Sequence, residues 1–204
     1  KITYGSSGNF RRQIVQGAPF QLFLSADEQY AEALAKDGRA ENAGAVYAVG
    51  RLAFFVPQGS PVNIDNKLKD LGAAAADGRL KRLAIANPDH APYGRAAREV
   101  LERVDLWNGV KGRLVLGESV GQTARFLATG AAQAGFIPLA LAAGPELKTR
   151  GAWATVPASW HAPLRQRMVL IKGAGDTARR FHDFMLGPQA QALLRQHGYA
   201  SPSP

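Results

Sequence analysis

Tyr4-Gly-Ser-Ser-Gly-Asn-Phe10 is the small-residue stretch from which the fold can be worked out. The apolar residues at the beginning of the chain, Ile2–Tyr4, predict a strand that leads into it. Apolar residues four positions apart, Phe10 and Ile14, predict one face of a short helix. The hydrophobic run Phe20–Leu24 then predicts the next strand. The stretch therefore marks a turn at which a strand passes into a helix.

Ser6 and Ser7 lie at the predicted start of that helix. The first N–H groups of a helix have no partner inside it, and the helix dipole adds partial positive charge there. Such a position suits a small anion, with the serine hydroxyls as additional donors. The alternative is that Ser7 only caps its helix, and base rates for serine favour the cap from this stretch alone.

The following segments predict alternation of strands and helices. Ser25 with Glu28 three residues later has the spacing of a capping box, with Ser25 as the cap. Strand, helix, strand, helix is the order typical of parallel α/β winding. The apolar segment Tyr47–Val56 predicts a chain that crosses between two lobes, and the strand Arg167–Ile171 predicts the return.

Two more junctions repeat the pattern of a buried strand followed by a helix. The strand Leu83–Asn87 runs into the predicted loop Pro88–Gly94, and a helix is predicted from Arg95. The strand Leu114–Leu116 precedes a helix that Ser119 is expected to cap. Each junction adds N–H donors of the kind that bind oxyanions.

Composition and charge bear on which partners the chain can have. The 204 residues carry a net charge of +9, but the basic residues are scattered and form no long tract, so we expect no nucleic-acid partner. No run of about 18 apolar residues predicts a membrane span. No signal peptide is visible at Lys1, and the chain has no cysteine for disulfides or thiol chemistry.

Catalytic motifs are not apparent in the sequence. A serine hydrolase would have to draw on scattered groups, namely Ser7 or Ser25, His90 or His161, and Asp27 or Asp89. No G-x-S-x-G, H-E-x-x-H, Walker or dinucleotide fingerprint is present. His90 is expected to be an exposed loop histidine. We therefore predict a binding protein that is not an enzyme and has neither cofactor nor metal cation.

The motifs SSGN, RRQI, QGAPF and FLSAD, with IANPDHAPYGRAA and FMLGPQAQALLRQHGY, resemble the periplasmic molybdate-binding proteins of ABC transporters. The resemblance implies the type 2 periplasmic binding protein fold: two α/β lobes with a ligand cleft between them. Residues 1–52 and 168–204 would form lobe I, and residues 53–167 lobe II. It also implies a periplasmic monomer that captures molybdate or tungstate, two ions of nearly equal size, and delivers it to a membrane permease.

The same resemblance implies a set of oxyanion ligands. They are the hydroxyl of Ser7 and the main-chain N–H groups of Tyr93 and Val120, with Ser6 and Ser119 as lesser candidates. Some family members use a tyrosine hydroxyl at the position of Pro138, and proline offers neither N–H nor hydroxyl. That contact is therefore in doubt in this chain.

Two alternatives and one further expectation accompany the resemblance. The ligand would instead be another tetrahedral oxyanion, such as sulfate or phosphate, or the chain would be the effector domain of a transcriptional regulator. The regulator lacks support, because no helix-turn-helix is apparent. Family members begin with about thirty further residues, so we expect lobe I here to lack its first strand and helix.

Overall fold

The computed structural model describes residues 1–202 and shows alternating helices and strands, which confirms the predicted α/β class. The strands are Leu22–Ser25 (β1), Ala45–Gly50 (β2), Leu52–Pro57 (β3), Leu83–Ala86 (β4), Leu114–Gly117 (β5), Ala134–Pro138 (β6), Gly151–Thr155 (β7) and Leu164–Leu170 (β8). The helices are Ser7–Val15 (α1), Glu28–Lys36 (α2), Lys69–Ala76 (α3), Pro92–Arg103 (α4), Trp107–Val110 (α5), Val120–Ala128 (α6), Leu139–Ala142 (α7), Asp176–Leu186 (α8) and Pro188–Gln196 (α9).

The chain divides into two compact units, each with its own sheet. The central unit comprises Lys1–Gly5 and Arg51–Ala162. The terminal unit comprises Ser6–Gly50 and the described residues from Pro163 onward. The chain thus changes units after residues 5, 50 and 162. The sequence prediction placed the lobe boundaries after residues 52 and 167 and put residues 1–5 in lobe I.

The terminal unit has a three-stranded sheet in the order β1-β8-β2. Both ladders are antiparallel, because β8 lies between β1 and β2 and runs against both. Strands β1 and β2 therefore run in the same direction, as parallel winding predicts, but each pairs with β8 and not with the other. Helices α1 and α2 bury Ile14 and Leu34 against Phe23 and Val169 of the sheet. Burial of such side chains contributes roughly 1.5–3 kcal/mol each.

The central unit has a five-stranded sheet in the order β5-β4-β6-β3-β7. Strand β4 runs parallel to β5 and to β6, which confirms parallel winding for these three strands. Strand β3 runs antiparallel to β6 and β7. The buried run Leu52–Val56 in β3 and the fully buried Phe136 and Ile137 in β6 form much of this unit's core.

The segment predicted to cross between lobes joins the two sheets. Strand β2 belongs to the three-stranded sheet and β3 to the five-stranded one, with Arg51 between them. Strand β8 begins at Leu164, one residue after the chain re-enters the terminal unit at Pro163, and ends at Leu170.

The strand predicted at Ile2–Tyr4 is not formed. Residues 1–6 have no helix or strand, and the side chains of Ile2 and Tyr4 are 66% and 89% exposed. A strand needs a neighbour to pair its backbone groups, and no strand among residues 1–202 pairs with this segment. Among the same residues, none of the helices has the length and apolar character needed to cross a lipid bilayer.

Candidate functional site

Three of the predicted ligand positions lie at one edge of the central unit's sheet. Strands β5, β4 and β6 are neighbours and parallel, so their carboxyl ends meet at the same edge. Val120 begins α6 after β5, Tyr93 is the second residue of α4 after β4, and Pro138 ends β6. Ligands of open α/β sheets bind at such carboxyl ends.

The first turn of α6 is capped by Ser119 as predicted, and some of its main-chain N–H groups have no acceptor in the described part of the chain. The Ser119 hydroxyl oxygen accepts from the N–H of Gln122 at 3.3 Å, and the Gln122 side chain accepts from the N–H of Glu118 at 2.6 Å. Among residues 1–202, the N–H groups of Val120 and Gly121 have no acceptor. The lesser candidate Ser119 is therefore the cap of α6, and the N–H groups of Val120 and Gly121 are left without an acceptor among the described residues.

Helix α4 begins three residues earlier than the sequence predicted. Pro92 is its first residue, a position where proline's missing N–H costs nothing. Tyr93 therefore lies in the first helical turn instead of a loop, and its side chain is buried. A Cβ on Gly94 would lie 2.1 Å from the main-chain oxygen of Ala86. Only glycine therefore lets α4 start this close to the end of β4.

Gly117 has the same role at the end of β5. A Cβ there would lie 2.4 Å from the hydroxyl oxygen of Thr123. That hydroxyl donates to the carbonyl of Ser119 at 3.0 Å, which braces the first turn of α6. Gly117 therefore holds the start of α6 close to the sheet.

Pro138 lies at this edge but adds no donor. It is buried, ends β6 and precedes the four-residue helix α7. The next N–H, of Leu139, donates to the carbonyl of Arg51 at 2.8 Å. The position therefore has no hydroxyl to replace the tyrosine that the resemblance implies for other family members.

Ser6 and Ser7 belong to the terminal unit, and both are 5% exposed. Ser6 has extended backbone and is the N-cap of α1, but its side chain makes no capping bond. Ser7 is the first helical residue, and its hydroxyl oxygen accepts from the N–H of Ala26 at 3.0 Å. The interpretation of Ser7 as a cap for its own helix is therefore wrong, because its oxygen binds the β1–α2 turn.

The start of α1 also carries main-chain donors. The N–H of Phe10 donates to the carbonyl of Ser6 at 3.1 Å, but within residues 1–202 those of Ser7 and Gly8 have no acceptor. Both residues are buried. Buried N–H groups are nearly always paired in folded proteins, because leaving one unpaired costs roughly 1–3 kcal/mol. Ser7 and Gly8 therefore present two main-chain donors that have no acceptor among residues 1–202.

Gly8 and Gly121 were not among the predicted ligand residues, although Gly8 lies at the predicted strand-to-helix junction. The available signal was their position, since the first two or three N–H groups of any helix lack an internal partner.

The predicted capping box at Ser25 is also wrong. Asp27 is the N-cap of α2, and its carboxylate accepts from the N–H of Tyr30 at 3.2 Å. Ser25 ends β1 and donates its hydroxyl to Asp27 at 3.2 Å. Glu28 instead binds two arginines of β8, Arg165 at 2.8 Å and Arg167 at 2.6 Å.

The pKa of Glu28 reflects that pairing. Burial acts to raise the pKa, but the hydrogen bonds from Arg167 and Arg165 outweigh burial and bring the pKa below its ordinary value. The ionised form of Glu28 therefore stabilises the contact between α2 and β8.

The other titratable candidates have structural partners. His90 is not the exposed histidine expected from the sequence, since its side chain is only 12% exposed and its Nε2 lies 3.4 Å from Glu118. The ring of His161 contacts the carbonyl of Ala162 at 2.7 Å. Among residues 1–202, no three His, Cys, Asp or Glu side chains cluster in a way that would hold a metal ion.

A cavity of about 350 Å³ lies at the opposite edge of the same sheet, where β3 ends and β7 begins. Its walls include Val56, Asn63, Lys148 and Ala152. None of the predicted ligand residues lines it. The predicted site is instead a set of main-chain donors at helix starts.

Comparison with known proteins identifies the family. Residues 1–200 match the model of the bacterial extracellular solute-binding protein family. The molybdate-binding protein ModA of Azotobacter vinelandii is 36% identical over 97% of this chain and 77% of that protein. ModA of Rhodobacter capsulatus is 37% identical over 98% of this chain and 77% of that protein.

A solved structure gives the same result for the fold. The periplasmic molybdate-binding protein of Azotobacter vinelandii superposes with a TM-score of 0.88 at 35% identity, covering 99% of this chain and 87% of that one. The chain therefore belongs to the bacterial extracellular solute-binding protein family, and its relatives at 36 and 37% identity are molybdate-binding members of it.

Proposed function

We propose that this protein captures molybdate or tungstate and delivers it to the membrane permease of an ABC transporter. The observation that carries the proposal is four main-chain N–H groups without acceptors within residues 1–202, at Ser7 and Gly8 in one unit and at Val120 and Gly121 in the other. The identity to molybdate-binding proteins supports this choice of anion.

Neutral donors are chemically sufficient for a dianion. Oriented N–H dipoles at helix starts hold negative charge without a lysine or arginine at the ligand. Because the dipoles are already fixed, they offset the loss of water around the ion. A fixed set of donors also selects the anion by size, which a loose basic surface does not.

We further propose that the terminal and central units are lobes I and II of the predicted binding protein. In this proposal the oxyanion ligands are the hydroxyl of Ser7 with the N–H groups of Ser7 and Gly8 in lobe I, and the N–H groups of Tyr93 and Val120 in lobe II. Ser6 and Ser119 then support the two helix starts. In this proposal the protein works as a periplasmic monomer and catalyses no reaction; two of its relatives are named as binding proteins.

Calorimetric titration with molybdate, tungstate, sulfate and phosphate tests the proposal. We expect molybdate and tungstate to bind with similar affinity and the other two anions to bind much more weakly. Equal affinity for all four anions would contradict a donor set that selects by size. Tightest binding of sulfate or phosphate would establish the alternative of another oxyanion.

A further inference from the structure

His90 and Glu118 join the two loops that lead into α4 and α6. We propose that they form a positioning pair, which sets the spacing between the Tyr93 and Val120 donors and thereby the anion that fits. The proposal rests on the proposed function, because it assigns a role in selecting that ligand. Neither side chain needs to touch the anion.

The contact itself is between an almost buried ring and an exposed carboxylate. Nε2 of His90 lies 3.4 Å from Oε2 of Glu118, and the side chains are 12% and 70% exposed. The ring is therefore held by its surroundings, and the carboxylate comes to it from the neighbouring loop. His90 is three residues before Tyr93, and Glu118 is two residues before Val120.

Two further hydrogen bonds hold the rest of these loops in place. At their base, the N–H of Asn87 donates to the carbonyl of Gly117 at 2.8 Å. Within the second loop, the N–H of Glu118 is bonded to the side chain of Gln122 at 2.6 Å. That bond between Asn87 and Gly117 continues the paired strands β4 and β5, which fix the base of both loops. The His90–Glu118 pair links the loops beyond the end of the sheet, nearer the donors, and so adds a constraint on their spacing that the strand pairing does not supply.

Spacing matters because supporting contacts must hold ligand-binding groups within about 0.5 Å of the productive geometry. Molybdate and sulfate have the same shape and charge and differ in size. A loosened pair of loops can adjust to either ion, so discrimination should fall along with affinity.

The charge of Glu118 makes the proposal testable by the sign of an effect. Glu118 is two residues from Val120, which is a proposed ligand of the dianion. Its carboxylate repels the dianion, so removing it should by charge alone strengthen binding. If the carboxylate positions the loops, its removal should weaken binding. A role in stability alone would leave the affinity unchanged.

The test compares Glu118→Ala with Glu146→Ala by calorimetry with molybdate and sulfate. Glu146 is an exposed carboxylate of the same unit, so its removal changes the net charge equally. A pair with one exposed partner is weak, and we expect Glu118→Ala to lose about two- to fivefold in molybdate affinity. We also expect it to narrow the gap between molybdate and sulfate. Equal or tighter molybdate binding, relative to Glu146→Ala, would overturn the proposal.

A double variant asks whether the residues act as a pair. In a His90→Gln background, Glu118→Ala should reduce molybdate affinity no further, because the contact is already lost. An undiminished second loss would show that Glu118 acts independently of His90.

A measurement without ligand keeps this inference separate from the proposed function. Amide hydrogen exchange of Asp89, His90, Ala91 and Tyr93 should be about two- to fivefold faster in Glu118→Ala, although the substitution lies in the other loop. Unchanged exchange there would overturn the positioning pair whatever the ligand. Wild-type protein that binds none of the anions would overturn the proposed function, and the exchange measurement would still decide the pair.

Discussion

Replacing Val120 with proline removes one proposed donor and very little else. Val120 is the first residue of α6, where proline fits because that N–H has no partner inside the helix. The preceding residue, Ser119, is extended at φ −154° and ψ 165°, close to the conformation favoured before proline. Val120→Ala is the matched control, since it also trims the half-buried side chain but keeps the N–H.

The expected loss follows from the kind of bond removed. A hydrogen bond to a charged group contributes roughly 1.5–3 kcal/mol. At about 1.4 kcal/mol per factor of ten, Val120→Pro should weaken molybdate binding by roughly ten- to hundredfold. Val120→Ala should change the affinity by less than about threefold, because no donor is lost.

Calorimetry gives both affinities, and thermal unfolding of the ligand-free proteins shows whether the fold is intact. We expect the two variants to unfold within a few degrees of each other, since proline at the first helical position is tolerated. Equal molybdate affinity in the two variants, with both folded, would refute the argument that the Val120 N–H holds the anion.

Ser7→Ala should weaken molybdate binding by about tenfold or more, with a stability loss near 1 kcal/mol from the bond its oxygen accepts; calorimetry and unfolding on one sample separate the two effects. Gly94→Ala should destabilise by roughly 1–3 kcal/mol through collision with the main chain at the end of β4, whereas Gly109→Ala, where nothing lies within 4 Å, should not; urea denaturation compares them. The pKa of Glu28 is lower in the folded protein than in the unfolded chain, so its contribution is complete above the unfolded pKa of about 4.3 and disappears as pH falls through the folded pKa. Glu28→Gln should therefore lose roughly 1–2 kcal/mol at neutral pH, where Arg165 and Arg167 lose the carboxylate that they share, and nothing below the folded pKa; unfolding curves across that range would contradict this if the difference did not depend on pH.

Local patterns predicted most of the helices and strands. The spacing of Phe10 and Ile14 predicted α1, and Ser119 predicted the start of α6. These predictions succeeded because the spacing of apolar residues and the capping of a helix both depend on residues within one helical turn. The start of α4 was also readable, since Pro92 is a residue typical of a first helical position, but the prediction placed that start at Arg95.

The candidate site was predictable only in part. Ser7, Tyr93 and Val120 were named from the sequence and its resemblance to a family, and all three lie in the first turn of a helix. Their role as ligands remains a prediction. The donors at Gly8 and Gly121 became visible only when the backbone bonds of each first turn were traced.

Only the tertiary structure decided which distant parts of the chain come into contact. Strand β8 inserts between β1 and β2 from more than a hundred residues away, which makes both ladders antiparallel where local order predicted parallel winding. The same insertion brings Arg165 and Arg167 to Glu28. The sequence by itself determined where most helices and strands form, because each turn or pleat is set by its immediate neighbours. Which strands pair, and which cations bind Glu28, depended on contacts that exist only once the chain has folded.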